Sequence, residues 1–307
     1  MRFSIVIPLW KTQYVAETID SVLAQSCKDY ELIIGCSRTD ASIENIKKLY
    51  SDKARFIDIE GTGIIAHWNN AIKQCRGEFT LLLADDDVLT LDCLAEVSRA
   101  IDRNPNCALV QTRIIMFQTG DLVRAVSVGG CEVESMSEYA YNQIVQRRPI
   151  IVSCIFFRTS YLAPRGFVDL PDAWGADLFT ALTIARLGGV VFVNKPLVKN
   201  RECLERVTSN IGWKSRVSAI EMWERMIDCG LLKIGVADDN NMYQNLVESN
   251  YKEIYRKARV DSLVACVKNI SFKNLRRDLR DIKTLSKGHH FAQAMRAIAK
   301  GVALKLL

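Results

Sequence analysis

Three consecutive carboxylates, Asp85, Asp86 and Asp87, follow the apolar run 81–84. Neighbouring carboxylates repel one another and lose hydration when they are enclosed, so they destabilise a buried strand end unless a cation or hydrogen-bond donors compensate. An oxygen-rich cluster without histidine suits Mg²⁺ or Mn²⁺, and these ions usually take phosphate oxygens as their other ligands. The residue types therefore predict a site for a divalent cation and a phosphate-bearing ligand.

The spacing favours Asp85 and Asp87 as the metal pair. In an extended loop, residues two apart point the same way, and Asp86 between them would point elsewhere. The alternative is a solvated turn that caps a helix beginning near Thr90. The three aspartates alone leave both interpretations open.

Composition narrows the class of protein. The chain has 307 residues, of which 49% are hydrophobic and 25% charged, as expected for a soluble protein with one large domain or one domain and an appendage. Three histidines argue against a histidine-rich metal centre, and ten cysteines without a CxxC pair indicate reduced, buried thiols. No apolar run approaches the roughly 18 residues of a spanning helix, and no signal peptide is recognisable. We therefore expect a cytoplasmic protein.

The positive charge lies at the C-terminal end. Residues 251–307 contain 14 Lys or Arg and 4 Asp or Glu, a net +10, and the remaining 27 basic and 31 acidic residues give −4. In the segment 291–306 apolar residues recur at helical spacing with basic residues mostly off that line. Such a helix can lie on an anionic membrane, or it can pack on the rest of the protein with its basic side in water. The segment lacks the interleaved aromatic residues of a nucleic-acid groove, so no nucleic-acid partner is expected.

Strand-like and helix-like segments alternate through the first 110 residues, which predicts a mainly parallel sheet covered by helices on both faces. Ligands of such sheets bind beyond the carboxyl ends of strands, where residues 85–87 lie. Farther along, the patterns predict a helix from Thr90 to Asp102, a hairpin across 118–121, a helix over 137–147, a strand over 149–158, a helix over 177–187, a strand over 190–198 and helices from about 213.

Three blocks of the sequence resemble glycosyltransferase family 2 enzymes of the GT-A fold. They occur in the family's order and spacing over roughly residues 3–201, which is more specific than any single motif. The resemblance implies a Rossmann-like α/β fold with a mixed, mainly parallel sheet flanked by helices. We expect a catalytic domain over 1–230 and a basic helical extension over 231–307. The blocks are SIVIPLWKTQYVAETIDSVLAQSCKDYELII, GTGIIAHWNNAIKQCRGEFTLLLADDDVLT and FFRTSYLAPRGFVDLPDAWGADLFTALTIARLGGVVFVNKPLVKNR.

The resemblance implies inverting transfer of a sugar from a nucleotide-sugar donor to an acceptor hydroxyl, with Mn²⁺ or Mg²⁺ as cofactor. Asp87 corresponds to the last aspartate of the family motif and is the first metal ligand, with Asp85 second. Asp86 is then expected at the donor ribose or sugar. Asp177, in the stretch WGAD, matches the family's catalytic base, although a carboxylate in the first turn of a helix is also favoured by the helix dipole alone.

Other family positions fall on the donor side. Pro8 and Leu9 end the first strand, where the nucleotide base and ribose are expected. Asn69 matches a family asparagine near the donor, and Asn70 is the neighbouring alternative. Arg201 matches a basic residue near the diphosphate, with Arg206 as the alternative.

One stretch departs from the family pattern. Family members usually carry an acidic residue after the second strand that accepts the N3 hydrogen of uracil, whereas this chain has GCSRTD over residues 35–40. Arg38 suits an acceptor edge or a phosphate better. Three alternatives follow: Asp40 substitutes for the missing carboxylate, the donor is not a standard UDP-sugar, or the enzyme is weak.

Trp174 is the candidate acceptor-side residue. It is expected either to stack on an acceptor sugar or to pack beside Pro171. The family's habit implies a saccharide or lipid-linked saccharide acceptor in bacterial surface polysaccharide assembly, such as O-antigen, capsule or lipopolysaccharide, at the inner face of the cell membrane. Residues 270–307 would supply peripheral contact with an anionic membrane.

Two other functions compete with this one. A catalytically inactive sugar-binding or scaffold protein of the same fold is compatible with the missing base-reading carboxylate. A metal-dependent nucleotidyltransferase would also use aspartates and a metal. It normally has a glycine-rich phosphate loop after the first strand, and PLWKTQY contains no glycine.

Overall fold

The computed structural model describes residues 1–61, 63–118, 122–202, 212–231 and 241–269. Within these ranges ten strands form one mixed, mainly parallel sheet. The strands are β1 (Phe3–Leu9), β2 (Tyr30–Cys36), β3 (Arg55–Asp58), β4 (Phe79–Leu82), β5 (Val88–Leu89), β6 (Leu109–Gln118), β7 (Leu122–Val126), β8 (Val133–Glu134), β9 (Ile155–Arg158) and β10 (Val190–Arg201).

The directions of the strands decide which strand ends lie at the same edge of the sheet. The order along the sheet is β3-β2-β1-β4-β9-β6-β10-β5, with β7 on β6 and β8 on β10. β1, β2, β3 and β4 are parallel, and β9 is antiparallel to both β4 and β6. Because β10 is parallel to β6, β10 runs in the same direction as β1 and β4. The C-termini of β1, β2, β4 and β10 and the N-terminus of β9 therefore share one edge, which we call the carboxyl edge.

Helices cover the sheet because each has an apolar face. In the first helix Val15, Ile19 and Val22 are fully buried, one helical turn apart. Asp40 begins the second helix by accepting hydrogen bonds from the main-chain N–H groups of Ser42 and Ile43. The helices are α1 (Val15–Leu23), α2 (Ala41–Tyr50), α3 (Ile64–Ile72), α4 (Cys93–Arg103), α5 (Met136–Ala140), α6 (Thr159–Leu162), α7 (Ala176–Ala185), α8 (Trp213–Asp228) and α9 (Asn241–Asn269).

The alternating elements, the hairpin of β6 and β7 and the C-terminal helices to residue 269 are confirmed. The strand predicted over 149–158 is wrong in its first half. Residues Val152–Cys154 form a 3-10 turn, and β9 begins only at Ile155. An apolar run without alternation does not distinguish a strand from a buried turn.

The cap predicted at Thr90 is also wrong. Helix α4 begins at Cys93, whose N–H bonds to the main-chain oxygen of Thr90. The Thr90 hydroxyl is buried and has no partner among the described residues.

The C-terminal helices pack against the sheet domain. Trp223 of α8 stacks on Phe179 of α7, and Tyr255 of α9 contacts Trp223. Tyr243 of α9 also contacts Tyr141, which directly follows α5. The described part of the extension thus shares one apolar core with the preceding residues. The division at 230/231 stays a prediction, and the predicted membrane segment 270–307 lies outside the described residues.

Among the helices of the described ranges, none is both long enough and apolar enough to span a bilayer.

Candidate active site

The three aspartates follow β4 at the carboxyl edge. The main-chain N–H groups of Trp10 and Lys11, which follow β1, donate to Oδ2 of Asp85 at 2.8 and 2.5 Å. Adjacent parallel strands bring these two loops together, as the sheet order requires. Burial raises the pKa of Asp85 to about 6, although these two hydrogen bonds act in the opposite direction.

Residues 84–87 form a β-turn, which we call the aspartate turn. Asp87 N donates to the main-chain oxygen of Ala84 at 3.1 Å, the i to i+3 bond of such a turn. The extended geometry used to pair Asp85 with Asp87 is therefore not what the structure has. Asp85 is directed to the loop after β1, whereas Asp87 is directed to the end of β10.

Asp87 is the most enclosed of the three, with 1% of its surface exposed. Its Oδ1 accepts hydrogen bonds from Asn200 Nδ2 at 2.9 Å and from Arg201 N at 3.1 Å. The Ser153 hydroxyl also bonds to Asp87 and accepts from Ala84 N at 3.0 Å. Burial, followed by the charge of Asp86, raises the pKa of Asp87 to about 7.

Arg201 locks the aspartate turn to the neighbouring elements. Its Nε donates to the main-chain oxygen of Asp86 at 3.1 Å, and its Nη2 pairs with Glu17 of α1. The guanidinium carbon lies 4.2 Å from the ring centre of Tyr14 and 4.5 Å from that of Phe117. Only 4% of Arg201 is exposed. These contacts account for Arg201 as a positioning residue, and its predicted contact with a diphosphate stays a prediction. Arg206 lies outside the described residues.

Asp177 lies in the first turn of α7. Its Oδ1 accepts from the N–H of Leu178 at 2.8 Å, and burial raises its pKa to about 6. Gly175, the residue immediately before α7, caps the helix with its backbone in the left-handed region at φ 80°. A carboxylate with a raised pKa can exchange a proton near neutral pH, as a general base must.

The buried thiol of Cys154 lies near both Asp87 and Asp177. Burial raises the pKa of Cys154 to about 12, and both Asp177 and Asp87 add to this shift through their charges. Cys154 immediately precedes β9, whose start lies at the carboxyl edge. Asp87 and Asp177, 90 residues apart in the sequence, therefore both lie near one residue of the same edge.

Trp174 belongs to an aromatic stack. Its ring lies 4.6 Å from that of Trp223, with 27° between the planes, and the Arg216 guanidinium carbon is 5.8 Å from its centre. Packing against α8 thus explains the Trp174 ring, while the main-chain N–H of Trp174 bonds to the oxygen of Pro171 at 3.1 Å, so the residue also lies beside Pro171 as expected. The role of Trp174 in acceptor binding stays a prediction.

The predicted base-binding residues lie where β1 and β2 end. Leu9 pairs with Cys36 across the two strands, and its side chain is fully buried, so only its main chain can reach a ligand. Pro8 pairs with Gly35 and is partly exposed. The carboxylate of Asp40 is occupied by the cap of α2 and by Arg38. These bonds lower its pKa and give it a structural role, and its contact with a uracil base stays a prediction.

The asparagines of α3 are also engaged with the protein. Asn69 accepts from Phe167 N at 2.7 Å and donates to Phe167 O at 3.3 Å, so it fastens the loop after α6. Asn70 donates to Glu60 O at 2.8 Å. Donor binding by Asn69 stays a prediction, and the structure gives its amide a different use.

Sequence reasoning missed two residues that hold Asp87. Asn200 lies next to the predicted Arg201, and only its position at the end of β10 could have drawn attention to it. Ser153 interrupts an apolar run, and a lone hydroxyl in such a run is the signal that a turn or a polar contact lies there.

The donor set fits a hard divalent cation. Asp85 and Asp87 offer carboxylate oxygens, and Mg²⁺ or Mn²⁺ typically takes one or two carboxylates together with substrate phosphates. In the part of the chain that the structure describes, no three His, Cys, Asp or Glu side chains form a complete metal cage. Phosphate oxygens of a bound nucleotide would have to complete the coordination.

The profile of the family "Glycosyl transferase family 2" matches residues 4–160, which include the aspartate turn and Ser153. The chain belongs to this family. A Rickettsia felis protein described as an uncharacterized glycosyltransferase is 34% identical over 88 residues, which are 28% of this chain and 15% of that protein. Staphylococcus aureus TarS, a poly(ribitol-phosphate) β-N-acetylglucosaminyltransferase, is 26% identical over 119 residues, 36% of this chain and 20% of TarS. The matches thus span a fifth or less of these relatives.

Solved structures confirm the GT-A-like fold. The crystal structure of S. aureus TarS residues 1–349 in complex with UDP-GlcNAc superposes with a TM-score of 0.67 at 15% identity, covering 98% of this chain and 90% of that chain. The mannosyltransferase PcManGT from Pyrobaculum calidifontis, in complex with GDP-Man and Mn²⁺, has a TM-score of 0.55 at 16% identity and covers 98% and 87%.

Proposed function

We propose that this chain is an inverting, metal-dependent glycosyltransferase that moves a sugar from a nucleotide-sugar donor to an acceptor hydroxyl. The observation that carries the proposal is that Asp87, in the aspartate turn after β4, and Asp177, in the first turn of α7, both lie near Cys154 at the carboxyl edge. Asp87 belongs to a turn suited to a cation and a diphosphate, and Asp177 is a partly buried carboxylate with a raised pKa. Family membership supports the same assignment.

Asp177 takes the proton of the acceptor hydroxyl as that oxygen bonds to the anomeric carbon of the donor. The bond from that carbon to the diphosphate oxygen breaks, and the nucleoside diphosphate leaves with the electron pair. Attack opposite the leaving group inverts the anomeric configuration. The N–H of Leu178 keeps the Asp177 carboxylate oriented, and partial burial excludes water that would compete for it.

Asp87 and Asp85 would hold Mn²⁺ or Mg²⁺, which supplies Lewis-acid neutralisation of the charge that develops on the diphosphate. The chain contributes the rigidity of that site. Asn200, Arg201 and Ser153 hold Asp87, and the N–H groups after β1 hold Asp85, so both carboxylates are fixed in place before a ligand binds. Asp86 is the residue of the turn assigned to the donor ribose or sugar.

The acceptor is proposed to be a saccharide or lipid-linked saccharide in bacterial surface polysaccharide assembly. The name of TarS describes a glycosyltransferase that acts on a polymer, poly(ribitol-phosphate), and this supports a glycopolymer-type acceptor. The basic residues of 270–307 would bring the enzyme to the inner face of an anionic membrane.

The test is nucleotide release from UDP-, dTDP-, GDP- and CDP-sugars with and without Mn²⁺ or Mg²⁺. We expect one donor to be hydrolysed slowly in a metal-dependent reaction that Asp87→Asn abolishes. Asp52→Asn, the same change at an exposed carboxylate, is the matched control and should leave the rate unchanged. Absence of release with every donor, together with absence of metal-dependent nucleotide binding by calorimetry, would identify an inactive sugar-binding protein instead.

A further inference from the structure

An exposed indole lies beside the aspartate turn. Trp10 is 57% exposed, although its main-chain N–H is fastened to Asp85 at 2.8 Å. Since Leu9 pairs with Cys36, the residues that follow β1 and β2 are neighbours at the carboxyl edge. The guanidinium carbon of Arg38 lies over the Trp10 ring, 5.9 Å from its centre.

The exposure of Trp10 has a functional meaning because burial of an indole is strongly favourable and this one is left in solvent. A large aromatic face next to a phosphate site is suited to stacking on a planar base. The Arg38 contact is at the outer limit of cation–π distances, so it holds the guanidinium near the ring only weakly. A base can take its place on the ring while the guanidinium turns to the edge of that base.

Within the described residues, the surroundings of Arg38 orient its guanidinium group and engage only one of its three nitrogens in a hydrogen bond. Its Nε donates to Asp40 Oδ2 at 2.8 Å, while Asp40 Oδ1 is fixed by the N–H groups of Ser42 and Ile43. The two terminal nitrogens of Arg38 have no hydrogen-bond partner among the residues that the structure describes. The neighbouring Ser37 hydroxyl is buried and likewise without a partner in the described chain. The loop after β2 therefore presents unmatched donors next to the exposed indole.

The chemistry of a guanidinium selects among nucleobases. Arginine only donates, and its fork matches two adjacent acceptors. Guanine offers adjacent O6 and N7, whereas adenine places an amino group beside N7. In uracil and thymine the two carbonyl oxygens are separated by the N3–H donor. Cytosine has adjacent acceptors, O2 and N3, but its single ring covers less of an indole than a purine does.

We infer that Trp10 and Arg38 form a base subsite that selects a guanine nucleotide, with the base stacked on the indole and its O6 and N7 accepting from the Arg38 fork. The inference rests on the proposed function and names the donor class for it. Asp40 is a positioning residue in this arrangement, because it holds both the N-terminus of α2 and the guanidinium.

The test is calorimetric binding of GDP, UDP, CDP and ADP in the presence of Mn²⁺. The wild type is expected to bind GDP at least tenfold more tightly than the other three nucleotides. Arg38→Gln should bring the ratio of GDP to UDP affinity close to one, while Arg165→Gln, the same change at an exposed arginine elsewhere, should leave it unchanged. Trp10→Ala should weaken GDP binding about tenfold, and Trp10→Phe should restore most of it.

Tighter binding of UDP, CDP or ADP than of GDP would overturn the inference and leave the proposed function in place. A GDP preference that survives in Arg38→Gln would also overturn it. Binding of none of the four nucleotides by a folded wild type would count against the proposed function itself and, with it, the base subsite.

Discussion

The donor side and the acceptor side of the site are held by different forces. On the donor side, polar contacts from β1, β10 and the start of β9 fix the carboxylates of the aspartate turn. On the acceptor side, Asp177 follows a glycine in the left-handed region, and the adjacent Trp174 stacks on Trp223 of α8. One side is a polar network at strand ends, and the other is an apolar stack between loops and helices.

Under the proposed function, this difference assigns two chemical tasks to the two regions of the fold. Under the proposed function, hydrogen bonds from neighbouring elements fix Asp85 and Asp87 next to the expected position of a cation and a diphosphate. Apolar surroundings give Asp177 little stabilisation of its charge, so its pKa rises to about 6 and it can accept a proton. Substitutions on the two sides should therefore impair different steps, and the following predictions test that separation in order of decreasing effect.

The largest effect is expected for Asp177→Asn. Sugar transfer should fall by about 10² to 10⁴ because the base is lost, while calorimetric donor binding stays at the wild-type level. Burial raises the pKa of Asp177, so the ionised carboxylate destabilises the folded chain above that pKa. The variant should therefore melt at or above the wild-type temperature at pH 8. Loss of donor binding in this variant would show that the two sides are not separate.

The pH dependence of kcat/KM tests the assignment of Asp177 as the base. Asp177 must be ionised to accept a proton, and its pKa is raised from 3.8 to about 6. With donor saturating, kcat/KM for the acceptor should rise about tenfold per pH unit up to about pH 6 and then level off. Residual activity of Asp177→Asn should lack this rise. A wild-type profile that is flat through pH 6 would contradict the assignment of the base.

Arg201→Met tests the polar network of the donor side. The change removes the hydrogen bond to Asp86, the pairing with Glu17 and the packing against Phe117, so we expect a loss of about 3 kcal/mol in unfolding free energy by urea titration. The donor KM should rise as the aspartate turn loosens. Arg124→Met, on the exposed strand β7, is the control and should change stability by less than about 0.5 kcal/mol. An unchanged donor KM would remove Arg201 from its positioning role.

Gly175→Ala tests the apolar side. A Cβ at Gly175 would lie 2.4 Å from a ring carbon of Trp223, in addition to the strain of φ 80°. We expect a loss of about 2 kcal/mol and a raised acceptor KM with donor hydrolysis unchanged. Gly63→Ala also has positive φ, 96°, but nothing within 4 Å of the new Cβ. Gly63→Ala therefore measures the cost of backbone strain without the clash with Trp223. Equal effects of Gly63→Ala and Gly175→Ala would show that packing against Trp223 does not position the loop at Gly175.

Ser153→Ala should have the smallest effect. It removes the hydroxyl that bonds to Asp87 and to Ala84 N, which predicts a loss of about 1 kcal/mol and a small rise in the Mn²⁺ concentration needed for half-maximal donor hydrolysis. Ser26→Ala, near the surface, is the matched control for stability. A metal requirement identical to the wild type would restrict Ser153 to a structural role.

Local pattern predicted most of the elements and failed where the chain turns without a local signal. The β-branched, apolar run of β1 favours a strand, and the apolar residues of α1 recur at the helical period, so both elements could be predicted from the sequence. The turn at Val152–Cys154 could not, because an apolar run looks the same in a strand and in a buried turn. The same limit applied to residues 84–87, which were expected to be extended.

The sequence by itself determined that three carboxylates end a buried strand at the ligand-binding edge of an α/β sheet, because an apolar strand-like run precedes them and strand-like and helix-like segments alternate along the chain. Only the tertiary structure decided what holds those carboxylates and which groups remain open to a ligand. Asn200 reaches Asp87 across 113 residues, and Trp223 meets Trp174 through a helix that follows the last strand. Such pairings depend on the crossing of distant elements, and no local spacing of residues encodes them.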